Sequence, residues 1–139
     1  MAVTHSPFPV LLPGSGAGEV LALTRPISFW GGVDPRTANI IDARHPENGV
    51  CISGKVLALP GTIGSSSASA VLLELVHAGI APAAILMTEP DAILLLGLVV
   101  AREMGWATPP AVKVPLAVQK ELAGKRVSVG ADGAITTAQ

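Results

Sequence analysis

Charge, cysteine and aromatic rings are all scarce in this sequence of 139 residues. Lysine and arginine together number nine, and aromatic residues make up 3% with no tyrosine among them. These shortages exclude the basic stripe with stacking rings that nucleic-acid binding requires. The single cysteine, Cys51, excludes an internal disulfide and any multi-cysteine zinc or iron–sulfur site built by this chain alone. We therefore expect the isolated chain to bind no iron.

Features that direct a chain to a membrane are lacking as well. The first ten residues, MAVTHSPFPV, have neither the basic residues nor the long apolar run of a signal peptide. The longest apolar run, residues 92–101, covers about half of a bilayer. We therefore expect a soluble cytoplasmic protein.

Apolar residues are abundant instead. Half of the residues are hydrophobic and 14% are charged, against a usual charged share of about 25%. A surface with so few charges indicates a partner, although a small domain rich in alanine and glycine would also be weakly charged. The length fits one domain, which we place at residues 1–139.

The pattern of apolar residues predicts an α/β fold. Apolar runs predict buried strands at 55–59, 83–87 and 111–114. Helical spacing and its boundary residues predict helices at 68–79, 90–104 and 115–124. Two short strands around a glycine-rich turn at 14–18, and a final hairpin around GADG, add β structure at both ends. The predicted architecture has a central βαβαβ unit.

One long segment, PISFWGGVDPRTANIIDARHPENG, is irregular, with a short strand candidate at 40–41. It holds many of the reactive side chains of the protein, namely Asp34, Arg36, Asp42, Arg44 and His45. Long loops in compact domains are often functional, so Asp34, Arg36 and His45 are candidates for contacting substrate or a partner. The alternative is a solvated loop that Phe29 and Trp30 pin to the domain.

The run GTIGSSSASAVLLELVHAG concentrates hydroxyl groups where a strand has ended and a helix begins. Free N–H groups and the helix dipole favour an anion at such a point. One serine suffices to cap the helix, so three in a row after Gly64 indicate either capping with small-residue packing, an anion site or an activated serine. Of the three histidines, we place His5 in a mobile end and His77 in the last helical turn. Only His45 remains as a possible base for a serine.

The segments FWGGVDP, RHP and GSS, together with the apolar runs around them, resemble the small, swivel-domain subunit of the aconitase X family. The resemblance extends over about residues 14–113. It implies a swivelling β/β/α domain, as in the C-terminal domain of aconitase and the small subunit of isopropylmalate isomerase.

The resemblance also implies roles for the serines. In those relatives a Gly-Ser-Ser-Arg loop enters the active site, where the first serine removes a proton next to a carboxylate and the arginine binds a substrate carboxylate. Gly64, Ser65 and Ser66 match this loop, which implies that Ser65 is the catalytic base and that Gly64, Ser66 and Ser67 contact substrate. Ser67 stands in the place of the arginine, and this departure suits a substrate with a single carboxylate, or one that is bound by groups elsewhere.

The family further implies a partner and a reaction. A large subunit would carry an iron or iron–sulfur centre, so that this chain alone holds no cofactor. We expect Phe29, Trp30 and the flanking loop in the interface. Known activities in the family are cis-3-hydroxy-L-proline dehydratase, which forms Δ1-pyrroline-2-carboxylate, and phosphomevalonate dehydratase. We expect the first, because the chain lacks the charge enrichment of extreme thermophiles. A non-catalytic binding module with the same fold is the remaining alternative.

Overall fold

The computed structural model describes residues 3–5 and 7–137. Within them the strands are β1 (Val3–His5), β2 (Val10–Leu12), β3 (Gly16–Ala22), β4 (Val56–Leu59), β5 (Ala84–Met87), β6 (Ala111–Lys113), β7 (Arg126–Val129) and β8 (Ile135–Thr137). The helices are α1 (Phe29–Gly32), α2 (Ala68–His77), α3 (Ala92–Glu103) and α4 (Leu116–Leu122). The predicted α/β class is confirmed, with a βαβαβ unit from β4 to β6.

The eight strands form a mixed sheet in the order β1-β8-β7-β3-β4-β5-β6-β2. Strands β3, β4, β5 and β6 run parallel to one another, whereas the strands outside this group pair antiparallel. Every residue of β4 and β5 is buried, as expected for parallel strands that are covered on both faces.

Successive residues of β4 and β5 point into two separate cores. Leu57 and Ile85 belong to the core that helices α2 and α3 cover. Val56 and Leu86 belong to the core on the other face, where they meet Leu122 of α4 and residues of β7 and β8. The sheet therefore separates one face that carries α1, α2 and α3 from one that carries α4.

The glycine-rich turn predicted at 14–18 is mostly wrong, because Gly16 and Gly18 lie inside β3. A Cβ atom at Gly16 would collide with the carbonyl of Ala83, and one at Gly18 with the carbonyl of Gly54. The two glycines thus let β3 pass close to neighbouring backbone. Strand β2 does not pair with β3 but with β6 at the sheet edge.

Three further local expectations change. His5, expected in a mobile end, lies in β1, where it pairs with Ile135 of β8. Helix α3 begins at Ala92 rather than at Pro90. The predicted strand at 40–41 is reduced to isolated bridges, of which one joins Ile40 to Val33.

The helices of the described part of the chain are short. The longest, α3, has 12 residues, and none of those described is both long and apolar enough to cross a bilayer.

Candidate active site

The loops that follow the parallel strands all leave the sheet at its carboxyl edge. In open α/β sheets this edge is where ligands bind. The loop after β4 contains residues 64–67, called here the serine loop, and it leads directly into α2. The fold therefore places the hydroxyl cluster at the edge where a binding site is expected.

Within the serine loop, Ser65 acts on the local backbone. Its Oγ accepts a hydrogen bond from the N–H of Ser67 at 3.3 Å, a long distance for such a bond. Its carbonyl accepts from the N–H of Ala68 at 3.1 Å. Ser67 occupies the N-cap position of α2 but makes no capping bond with its side chain. Capping thus engages the hydroxyl of Ser65 weakly and leaves those of Ser66 and Ser67 for other partners.

A groove with a volume of about 500 Å³ runs beside the serine loop. One wall is formed by the chain after β4, from Pro60 to Gly64, and the other by residues 89–93 after β5. Gly64 opens onto free space, since a Cβ atom added there would meet no atom within 4 Å. A groove of this size is within the range of small-molecule sites.

The two walls of the groove are joined by a short hydrogen bond. Thr62 Oγ1 donates to Asp91 Oδ2 at 2.6 Å. The other carboxylate oxygen of Asp91 accepts from the N–H groups of Ile93 at 2.9 Å and Leu94 at 3.1 Å. Asp91 therefore caps α3 and at the same time holds the loop that carries the serines. Sequence reasoning missed Asp91, although an aspartate directly before an apolar helical run is a readable N-cap signal.

A second residue that sequence reasoning missed is Gln119 of α4. It makes hydrogen bonds to the carboxyl edge of the sheet from the face opposite to α2 and α3. Its buried amide nitrogen lies 3.1 Å from the carbonyl oxygens of Leu59 and Val114 and from the hydroxyl of Thr88. These acceptors follow or end β4, β5 and β6. Gln119 therefore joins the strand ends from which the loops of the site depart, which no local pattern in the sequence indicates.

The candidates of the long irregular segment lie in a self-contained turn structure. Asp34 Oδ1 accepts from the backbone N–H of Arg36 at 2.9 Å, and this bond holds the pKa of Asp34 below its ordinary value, assisted by the Arg36 guanidinium at 3.6 Å. The side chain of Arg36 itself is exposed. Neither residue lines the groove beside the serine loop.

His45 is buried and bonded through both ring nitrogens. Nε2 lies 3.1 Å from the carbonyl oxygen of Arg25, and Nδ1 accepts from the N–H of Glu47 at 3.1 Å. This pattern fits a neutral ring with its proton on Nε2. This arrangement argues against His45 as the base of a serine, the one histidine that the sequence left possible for that role, because both ring nitrogens are already bonded. A contact of Asp34, Arg36 or His45 with substrate stays a prediction.

Phe29 and Trp30, expected together in an interface, are placed very differently. Phe29 is 1% exposed and belongs to the core, whereas Trp30 is 61% exposed. A separate groove of about 370 Å³ lies between Trp30, Ile41 and α2. The interface prediction is therefore wrong for Phe29, which pins the segment to the domain as the alternative proposed.

The described residues do not supply the donors that an iron centre needs. Among them, no three side chains of histidine, cysteine, aspartate or glutamate group together as a metal site would require. Cys51 is exposed, and its thiol lies 3.6 Å from the carbonyl oxygen of Thr37. A centre on a large subunit stays a prediction.

Comparison with known proteins assigns this α/β domain, with its serine loop at the carboxyl edge, to a family. The sequence matches the aconitase X swivel domain over residues 8–137. A structure of Thermococcus kodakaraensis aconitase X in its holo-form superposes with a TM-score of 0.83 and 31% identity, covering 96% of this chain and 97% of that one. The chain therefore belongs to the aconitase X swivel-domain family, and the swivel fold implied by the resemblance is confirmed.

Two relatives of known name are similar in sequence. Cis-3-hydroxy-L-proline dehydratase of Pseudomonas aeruginosa is 54% identical over 94 residues, which are 68% of this chain and 16% of that protein. The phosphomevalonate dehydratase small subunit of Methanothermobacter thermautotrophicus is 44% identical over 92 residues, 66% of this chain and 70% of that one. The match thus spans about a sixth of the length of the Pseudomonas relative.

Proposed function

We propose that this chain is the small subunit of an aconitase X-type dehydratase, acting with a large subunit on a hydroxy acid. The observation that carries the proposal is the position of the serine loop. Family membership supports this reading, as does Gly64, which lines an open groove and directly precedes Ser65. A hydrogen bond between the side chains of Thr62 and Asp91 joins the two walls of that groove.

Cis-3-hydroxy-L-proline is the substrate that we favour. The Pseudomonas relative with that activity is 54% identical, against 44% for the archaeal small subunit named above. Ser67 is consistent with this choice. Hydroxyproline has one carboxylate, so it needs no arginine in the serine loop to bind a second one. Ser66 and Ser67 would donate hydrogen bonds to that carboxylate.

The reaction removes a proton and a hydroxide from neighbouring carbons. Ser65, as an alkoxide, takes the proton from the carbon next to the carboxylate, and the electron pair of that bond forms a double bond as hydroxide leaves. The resulting enamine then tautomerises to Δ1-pyrroline-2-carboxylate. A serine hydroxyl is a weak base unless its anion is stabilised, and here the start of α2 and the N–H of Ser67 supply part of that stabilisation.

Reconstitution with the aconitase X large subunit of the same organism tests the proposal. We expect the pair to dehydrate cis-3-hydroxy-L-proline. Phosphomevalonate should be turned over at least about 100-fold more slowly, because a pocket that pairs with a single carboxylate leaves the phosphate group of phosphomevalonate without a partner. Each chain alone is the control and should be inactive. Preference for phosphomevalonate would reverse the substrate assignment. Association without turnover of either compound would favour a non-catalytic module.

A further inference from the structure

An apolar stripe runs along the outer face of α3. Its members, three to four residues apart on one side of the helix, are Ile93, Leu96, Val99, Val100 and Met104. Leu96 is 57% exposed and Met104 is 60% exposed. Single exposed apolar residues are ordinary on protein surfaces, but a continuous row over three helical turns marks an interaction surface.

The stripe has no partner within the described chain, because α3 buries its other side. Leu94, Gly97, Leu98 and Ala101 face the core. At Gly97 an added Cβ would lie 2.8 Å from the carbonyl oxygen of Ser69 in α2, so the two helices are already in close contact. Rotation of α3 to hide the stripe would therefore break this packing.

The stripe continues from the candidate active site. Ile93, its first member, lines the groove together with Gly64 and Asp91. From there the stripe follows α3, which at 1.5 Å per residue is about 18 Å long, away from the carboxyl edge. A body that closes over the groove meets the stripe as the adjoining apolar surface.

The size of the relatives identifies a large body of that kind. The region that matches this chain is 16% of the Pseudomonas protein, yet it is most of a protein named a small subunit in Methanothermobacter. The same domain thus occurs within a much longer chain and as a subunit. Resting on the function proposed above, we infer that the α3 stripe is the surface on which the large subunit docks, next to the groove that it closes.

One other surface and one other occupant make distinct predictions. The Trp30 groove is the rival site for the large subunit, and it lies on the far side of α2 from α3, near α1. A second copy of this chain is the rival occupant of the stripe. Substitution of Leu96 by lysine places a charge at the centre of the stripe without touching the core.

The experiment measures binding of the purified chain to the large subunit, with each variant first checked for an unchanged circular dichroism spectrum. Leu96→Lys should weaken the dissociation constant at least about 30-fold, as expected for the centre of an interface. Met104→Lys, at the end of the stripe, should weaken it less. The matched control Ala117→Lys, at an exposed position of α4 across the sheet, should bind like the wild type. Trp30→Lys, at a residue expected in the interface from the sequence, should weaken binding less than Leu96→Lys.

Each result that would contradict the proposal has a different meaning. If the wild-type chains associate and Leu96→Lys binds normally, the docking surface is wrong and the proposed function stands. A loss confined to Trp30→Lys would move the interface to the Trp30 groove. If the chain alone forms a dimer that Leu96→Lys dissociates, the occupant is a second copy. If this chain and the large subunit, both wild type, do not associate at all, the proposed function itself fails.

Discussion

The serine loop and the segment from Asp34 to Cys51 are both irregular and both rich in polar side chains, yet they use those side chains differently. In the longer segment, Asp34 and Asp42 accept from backbone N–H groups two residues onward, and His45 is bonded on both sides of its ring. In the serine loop, the hydroxyl of Ser65 makes one long bond and Gly64 opens onto free space.

The number of polar groups in a loop therefore does not reveal a site, whereas their remaining hydrogen-bonding capacity does. A side chain that already stabilises its own turn would have to leave that turn to bind a ligand. The serine loop keeps this capacity because its support comes from Thr62 and Asp91 outside it.

The largest effect that separates the two regions is expected at Ser65. Ser65→Ala should lower kcat of the complete enzyme by about 100- to 10,000-fold, the range for removing a general base. The free energy of unfolding should fall by at most about 1–2 kcal/mol, because the variant loses only a weak cap. Ser66→Ala is the matched control and should act mainly on KM. Substantial exchange of the substrate α-proton into deuterated water by the Ser65→Ala enzyme would assign the base elsewhere.

In the longer segment, His45→Ala should lower stability and leave turnover nearly unchanged, the reverse of Ser65→Ala. It leaves the carbonyl of Arg25 and the N–H of Glu47 without their buried partner, so we expect the free energy of unfolding to fall by about 1–3 kcal/mol. Turnover of the folded complex should stay within a few-fold of wild type. Chemical denaturation and steady-state kinetics measure the two quantities, with exposed Arg44→Ala as the control. A large loss of kcat at unchanged stability would return His45 to the active site.

Between these extremes lies the support of the serine loop. Thr62→Val removes the bond to Asp91 but preserves the cap of α3, so kcat should fall several-fold while stability changes by about 1 kcal/mol or less. Asp91→Ala removes the bond to Thr62 and the two capping bonds of α3, and should cost about 1–2 kcal/mol of stability in addition to the loss of turnover. Equal kcat for Thr62→Val and wild type would show that the groove walls need no such bond.

The smallest effect concerns pH and Asp34. Because its pKa is lower in the folded protein, this carboxyl contributes stability above its unfolded value of about 3.9, and the contribution disappears as pH falls through the lower folded value. Asp34→Asn should therefore be slightly less stable than wild type at pH 7, and the two should converge in strong acid. Thermal unfolding between pH 2 and pH 7 measures the difference. A difference that grows with acidity would contradict this sign.

The sequence was sufficient for the features that depend on local periodicity. It predicted the α/β class, the buried strands at β4 to β6 and the arrival of the serines at a helix start. It was insufficient where a residue acts through distant backbone. The local pattern predicts a turn at Gly16 and Gly18, yet both lie inside a strand, where the carbonyls of Ala83 and Gly54 leave no room for a side chain. Phe29 and Trp30 are adjacent aromatic residues that the sequence does not distinguish. Tertiary packing buries Phe29 and leaves Trp30 exposed.

The amide of Gln119 limits how the sequence of this domain can vary. Its nitrogen faces the carbonyl oxygens of Leu59 and Val114, so glutamate, which differs by little in shape, would set a negative charge against two acceptors. Leucine would fill the space but leave the carbonyl of Val114 without the donor that Gln119 supplies. The carbonyl of Leu59 would keep the N–H and the hydroxyl of Thr88 as donors. A replacement on α4 that looks conservative would thus loosen the strand ends beneath loops that it never touches, and inherited changes at this position should be rarer than at its exposed neighbour Lys120.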